Sequence, residues 1–224
     1  VDSAETTTGL PLMVRFLAVL LLVAMGSGIS VGYVAWDTAG EALEAATREQ
    51  LTTARAIKGT LIGNYFRNVE QEVSVLATLP ATAEAIETFE RIFKKLDGAD
   101  ASVAEEKMRD FISNVFMAKY ESETGDRLPA SAVMSDRPAS LAVQAAYLSD
   151  NPNPLGSKDL FESSGSLPDY DRAHEQFHPI FRDLLSTFGY YDLFLVDRTG
   201  EIVYSVYKET DFGTNLLTGP FKNS

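Results

Sequence analysis

The longest apolar stretch of the chain lies near its start. Residues Phe16–Trp36 carry no charged side chain. As an α-helix they span about 31 Å, close to the thickness of a bilayer's hydrocarbon core. The pattern then changes rather than stopping. From Asp37 to Leu79 there is no proline, and a seam recurs in steps of three and four through Leu43, Thr47, Gln50, Ala54, Ile57, Leu61, Tyr65, Val69, Val73, Leu76 and Leu79. This predicts one amphipathic helix leaving the membrane, ended or kinked by Pro80. It reads either as one member of a bundle or as a signalling stalk that also dimerises. The polar residues Gln50, Thr53 and Thr60 depart from a pure coiled coil.

Shorter periodic segments follow. Ala81–Leu96 places Ile86, Phe89, Ile92 and Phe93 along a helix, with Gly98 just beyond its end. Val103–Tyr120 gathers Met108, Phe111, Ile112, Val115 and Phe116 on one helical face. Gly125–Pro129 is a break, Ser140–Ser149 a short helix, and Asn151–Pro152–Asn153–Pro154 a loop, with Gly156–Pro168 loop-rich as well. Tyr170–Thr187 is helical in character, interrupted or started by Pro179. The period then drops to two: Asp192–Val196 and Glu201–Tyr207 are β-rich, joined through Asp197–Arg198–Thr199–Gly200. Such a pair predicts a hairpin, with Asp capping the turn and Gly taking positive φ. Helices followed by a hairpin make the chain α+β.

Charge sets the orientation. Arg15 precedes the apolar run, and Asp37, Glu41 and Glu44 follow it. Basic flanks stay in the cytoplasm, so residues 1–15 are read as a cytoplasmic tail, 16–36 as the transmembrane helix and the bulk as periplasmic or extracellular. Asp2 and Glu5 count little in this rule. A cleaved signal peptide has a shorter apolar region and a small-residue cleavage site, whereas this run ends in Tyr33 and Trp36, suited to a membrane interface. The net charge of −13 and the absence of a basic stripe exclude nucleic acid as the expected partner. With no cysteine, disulfides, thiolate metal sites and cysteine nucleophiles are excluded. The chain begins with Val and stops after a turn-like Thr218–Gly219–Pro220, and is read as a fragment of something longer.

One motif invites a catalytic reading. His174–Glu175–Gln176–Phe177–His178 spells H-E-x-x-H, which on a helix sets two imidazoles on one face for zinc and a glutamate as general base. Pro179 follows directly and disfavours helical geometry at His178, so the imidazoles are expected to diverge. No G-x-x-H extension follows; Glu201 and Glu209 are the conceivable third ligands, and Glu201 falls at the hairpin turn. No metal, cofactor or enzymatic activity is assigned.

The stretch from Phe177 onward carries a resemblance. His178–Pro179 with Phe181–Arg182, Gly189–Tyr190–Tyr191–Asp192, Asp197 with Gly200, Tyr204–Ser205–Val206, and Asp211–Phe212–Gly213–Thr214 with Leu216 are similar to the ectodomain of bacterial methyl-accepting chemotaxis proteins, a type shared with some receptor adenylate cyclases and sensor kinases. Asn151–Gly156 and Asn64–Tyr65–Phe66 resemble it too. The resemblance implies a helical membrane-proximal region over 37–176 and, over 177–224, the first part of a PAS-like sensor module of the Cache type. Its opening hairpin would be the predicted one, and its remaining strands, a second membrane helix and a cytoplasmic signalling rod would lie beyond Ser224. It implies a small extracellular ligand, a homodimer, and a cytoplasmic chemotaxis kinase with its coupling protein as partners. Since such a pocket is mainly apolar with a few aimed polar groups, the candidate ligand-binding residues are Tyr190, Asp192, Tyr204 and Asp211, with Arg182 as a carboxylate partner. Each has a structural reading beside this one: sheet and core tyrosines, an ion pair from Arg182 to Asp183 or Asp192, and a turn cap at Asp211.

Overall fold

The computed structural model describes residues 11–223. Asp2, Glu5 and most of the 1–15 tail lie outside the described residues, as does Ser224. The described chain is mostly helical with a small two-stranded antiparallel sheet, an α+β arrangement in general terms. It divides into two units between Glu72 and Val73.

The first unit is helical throughout its described part. Helix α1 runs without interruption over Leu12–Ala77 and buries none of its residues. At 1.5 Å per residue it is about 99 Å long, and its N-terminal part is long and apolar enough to cross a membrane. The few polar side chains inside that part are satisfied locally. Ser27 Oγ donates to Ala24 O at 3.0 Å and Ser30 Oγ to Gly26 O at 2.8 Å, which lowers the cost of a hydroxyl in lipid. The seam residues Thr47 and Thr60 do the same, donating to Leu43 O and Ala56 O.

In the second unit, Pro80 is the first residue of α2 (Pro80–Leu96), with Leu79 extended before it. Proline lacks only an N–H that the first turn leaves unpaired anyway. The face of α2 carrying Ala85, Phe89, Ile92 and Phe93 is buried. The next helix starts as α3 (Ser102–Phe111), passes through a π turn at Ile112–Phe116 and continues as α4 (Met117–Thr124), ending at Gly125 with φ of 79°. The π turn inserts a residue into the helical period. It buries Met108, Phe111, Ile112 and Met117 but leaves Val115 exposed, against the single continuous face expected for 103–120. Helix α5 (Pro138–Gln144) also ends in a π turn, Ala145–Ser149, which buries Tyr147 and Leu148 completely.

Helix α6 (Pro168–Phe188) continues through Pro179 to a left-handed Gly189. Strand β1 (Phe194–Val196) then pairs antiparallel with β2 (Ile202–Ser205), Leu195 opposite Tyr204, with a bulge between Leu195 and Val196. The connection is the predicted one. Asp197 Oδ1 accepts from Thr199 N–H, Thr199 Oγ1 and Glu201 N–H, and Gly200 takes φ of 87°. The segment after β2 folds back along it: Ile202 N–H donates to Thr214 O and Gly213 N–H to Ile202 O.

Two apolar clusters result. The larger joins the α2 face to α5, α6 and the hairpin, with Phe89, Tyr147, Tyr170, Phe177, Phe181 and Tyr204 at its centre; the smaller packs Met108, Phe111, Ile112 and Met117 against Leu141 and Leu148. All four residues of β2 are buried. Successive side chains still point to opposite faces, and β2 is covered on both of them.

Candidate functional site

The polar chemistry of the second unit concentrates where α6 meets the hairpin. On α6 the periodicity that buries Phe177 and Phe181 also turns His174 and His178 inward. Their rings do not diverge. They stack at 4.2 Å between centroids with 23° between planes. Pro179 costs the helix one hydrogen bond, and flanking burial together with one hydrogen bond donated and one accepted by the His178 ring holds His178 helical despite the proline that follows.

Those hydrogen bonds fix the protonation of both rings. His178 Nε2 lies 2.7 Å from Asp159 O and Nδ1 2.6 Å from the Tyr204 hydroxyl. A carbonyl only accepts, so Nε2 carries the proton and Nδ1 accepts from Tyr204. His174 Nδ1 likewise donates to Glu162 O at 2.7 Å, leaving its buried Nε2 lone pair without a partner. Burial, and secondarily the charge of Lys208, push His178 down to about 3 and His174 well below the usual histidine range. Both are neutral at physiological pH. Three of the four ring nitrogens are committed to the fold, and Glu175 is exposed. Among the described residues no group of three His, Asp or Glu is placed to hold a metal ion.

The five candidate ligand residues do not converge on one pocket. Tyr204 is a core residue: its ring stacks on Phe89 at 5.3 Å, its hydroxyl serves His178, and burial drives its pKa well up. Tyr190 stacks on Phe188 at 5.7 Å just past the end of α6. Arg182 pairs with Asp159 at 3.2 Å, not with Asp183 or Asp192. It lines a cleft of about 520 Å³ on α6 together with Glu162, Glu175, Asp183 and Ser186.

Asp192 organises the hairpin end. Its Oδ1 accepts from the N–H groups of Leu193, Val206 and Tyr207, and its Oδ2 from Ser205 Oγ. Burial nevertheless raises its pKa above the ordinary carboxylate value. Asp211 stands near it. Burial first, then the charges of Asp192 and Glu209, raise Asp211 to about 6, and its Oδ1 is buried without a partner. Asp192 is electrostatically coupled both to Asp211 and to Tyr204, and Tyr204 in turn to Arg182. Beside them Tyr191 donates to Glu209 at 2.7 Å and stacks on Tyr207.

Several polar residues had no signal in the sequence pattern. Arg137 bridges Asp97 at the end of α2 to buried Glu201 at the hairpin, with contacts of 2.5 Å to each; it lines an open cleft of about 760 Å³. Gln144 donates to Phe212 O at 2.6 Å and Thr210 O at 3.2 Å, tying α5 to the segment after β2. Asp171 gathers Tyr147 OH, Ser164 N–H and Oγ, and Leu167 N–H at the start of α6. Each joins residues at least four and as many as 68 positions apart, and the distant pairings leave no local mark. Comparison with protein-family models, curated proteins and solved structures finds no match.

Proposed function

We propose that this chain is the sensory part of a transmembrane chemoreceptor, taking up a small extracellular ligand and passing the signal across the membrane to a cytoplasmic output domain. The observation that carries the reading is α1: a stretch apolar enough to span a bilayer continues, without a break, as a helix to Ala77. A rigid element with one end in lipid and the other in solvent suits the transfer of a shift, twist or tilt. A coupling of about 1–3 kcal/mol between ligand and helix suffices to change output.

The residues behind the chemoreceptor resemblance add support. They act together in the fold: His178 with Tyr204, Asp192 across the hairpin end, Asp197 with Gly200 in the turn, and Gly213 and Thr214 paired to Ile202. In this reading the hairpin opens a Cache-type sheet, the bulk lies on the outer side of a bacterial cell membrane, and the protein works as a homodimer through the α1 seam. The partners in the cytoplasm are a chemotaxis kinase and its coupling protein. An input role for a receptor cyclase or sensor kinase has the same physics and differs only in the output domain.

The test is a thermal-shift and calorimetric screen of the full chain in lipid nanodiscs against amino acids, organic acids and amines. A ligand at 100 times its Kd stabilises the folded state by about 2.7 kcal/mol. A folded protein that no member of a broad panel stabilises overturns direct sensing. Cross-linking in membranes at seam positions such as Leu43 and Leu61 reports the dimer, and its absence at high density removes that part.

A further inference from the structure

Lys208 is the most unusual charged residue of the second unit. Its side chain is 0% exposed, and it is the described non-glycine residue with positive φ, at 56°. That conformation is uncommon for a lysine and turns the side chain into the core just past β2. The backbone is held there: Lys208 N–H donates to Ser205 Oγ, itself bound to Asp192. Inside, Nζ donates to Val206 O at 2.9 Å and lies over the rings of Tyr147 and Tyr204, at 5.9 and 5.7 Å. Among the described residues no carboxylate is within salt-bridge distance of it.

The same two rings flank His174, at 4.7 Å from Tyr147 and 5.9 Å from Tyr204. One aromatic chamber therefore holds an amine with spare donors and, in the unpartnered His174 Nε2, a spare acceptor. The chamber is walled by β2, by the π turn after α5 and by α6.

We propose that Lys208 makes this helix–hairpin unit respond to protons: charging its amine inside the chamber weakens the docking of the 206–212 segment against α6 and the turn after α5. The inference goes beyond ligand sensing and stands or falls separately from it. Burial lowers Lys208 to about 7, with Asp192 and Asp159 pulling it up and Arg182 pushing it down. The other groups facing it are His174 and His178, both neutral, the buried phenols of Tyr147 and Tyr204, and, lining one cleft with it, Lys119, Glu123, Lys158, Tyr191 and Glu209.

The sign follows from linkage. With the folded-state value depressed, opening takes up a proton between pH 7 and about 10.5, so stability rises with pH across that window and is level in this respect below it. The histidines and Asp211 have their midpoints, folded or open, at or below about pH 6.5, and the buried phenols exposed by opening titrate near 10, so the Lys208 slope stands alone between about pH 7.5 and 9.5. Lys158, also buried and lowered, is the one other shifted lysine, and it sits over Phe111 in the smaller cluster.

The experiment uses the full chain in nanodiscs. Lysine side-chain ¹³C NMR is expected to show a signal with its midpoint near pH 7 that Lys208→Met removes and Lys158→Met retains. Hydrogen exchange, corrected for intrinsic rate, is expected to show protection of 206–212 amides rising by up to about tenfold per pH unit between about pH 7.5 and 9.5, and this rise is lost in Lys208→Met. Lysines that all titrate near 10.5 in the unmodified protein overturn the proposal without any variant. So does an unchanged rise in Lys208→Met. If that variant does not fold, the NMR midpoint in the unmodified chain decides.

Discussion

Helix α1 and helix α2 are written in the same three-and-four period, yet α2 buries five residues while α1 buries none. Leu43, Leu51, Ile57, Leu61 and Tyr65 on α1 are more than half exposed, whereas Phe89 and Phe93 on α2 are enclosed by tyrosines and phenylalanines of α6 and β2. The lesson concerns solvent. A periodic apolar face states that something will cover it, not what. For α2 the cover is the chain's own core. For the first part of α1, long and apolar enough to cross a membrane, the receptor proposed above makes it lipid, and for the seam beyond, a second copy of the helix.

That contrast can be broken at either end. The largest effect belongs to Phe89→Ala, which empties the centre of the main core. It is expected to destabilise the second unit by about 3–5 kcal/mol while membrane insertion is unchanged, as read by thermal unfolding and by carbonate extraction of membranes. Loss of both together would mean that the two units do not rely on different solvents. Leu21→Arg is the mirror experiment. A charge in the middle of the span costs about 2.5–3.5 kcal/mol of insertion; the protein should shift toward the soluble fraction with the unfolding midpoint of the second unit unaltered.

A smaller effect tests the electrostatics of the hairpin end. Asp211 has a folded-state value near 6 against an ordinary 3.8. Its stabilising share is complete below pH 3.8 and lost as pH rises through about 6. Asp211→Asn should therefore match the unmodified protein at pH 3.5 and exceed it by up to about 3 kcal/mol at pH 8; a difference that ignores pH contradicts the assignment. Histidine linkage runs the other way. His174 and His178 are depressed, so the stability they contribute is present above about pH 6.5 and lost as pH falls toward 3. The smallest effect is expected at Lys95, which pairs with Asp169 at 2.5 Å with both side chains largely in water. Lys95→Ala should leave the unfolding midpoint almost unchanged, and a clear loss would show that the exposed faces carry weight that the core does not.

Much of the second unit was readable element by element. Pro80 marked a boundary because its ring is tolerated only at a helix start, and Asp197 with Gly200 marked the turn because one supplies an acceptor and the other a left-handed backbone. Legibility failed where the period was altered from outside. The π turns at Ile112–Phe116 and Ala145–Ser149 shift which residues face inward, and packing, not propensity, chooses where such a turn is placed. Pro179 reads as an interruption or start of the helix, but flanking burial outweighs one lost hydrogen bond. Of the candidate ligand residues, Tyr204 had the right chemistry for a pocket and proved to be enclosed in the core; Arg182 kept its place on a cleft but chose Asp159, 23 positions away, over the nearer Asp183.

The sequence by itself determined the membrane-length helix, its continuation to Ala77, most helix spans and the hairpin, because apolar period, proline sterics and turn hydrogen bonding act within a few residues. Only the tertiary structure decided that His174 and His178 stack inside, that β2 is covered on both faces, and that the buried Lys208 amine lies over two tyrosine rings without a carboxylate at ion-pair distance. Those outcomes depend on partners brought together by folding, such as Tyr147 with Tyr204 around one amine, and the free energy of burying a charge or a lone pair is set by what arrives to surround it.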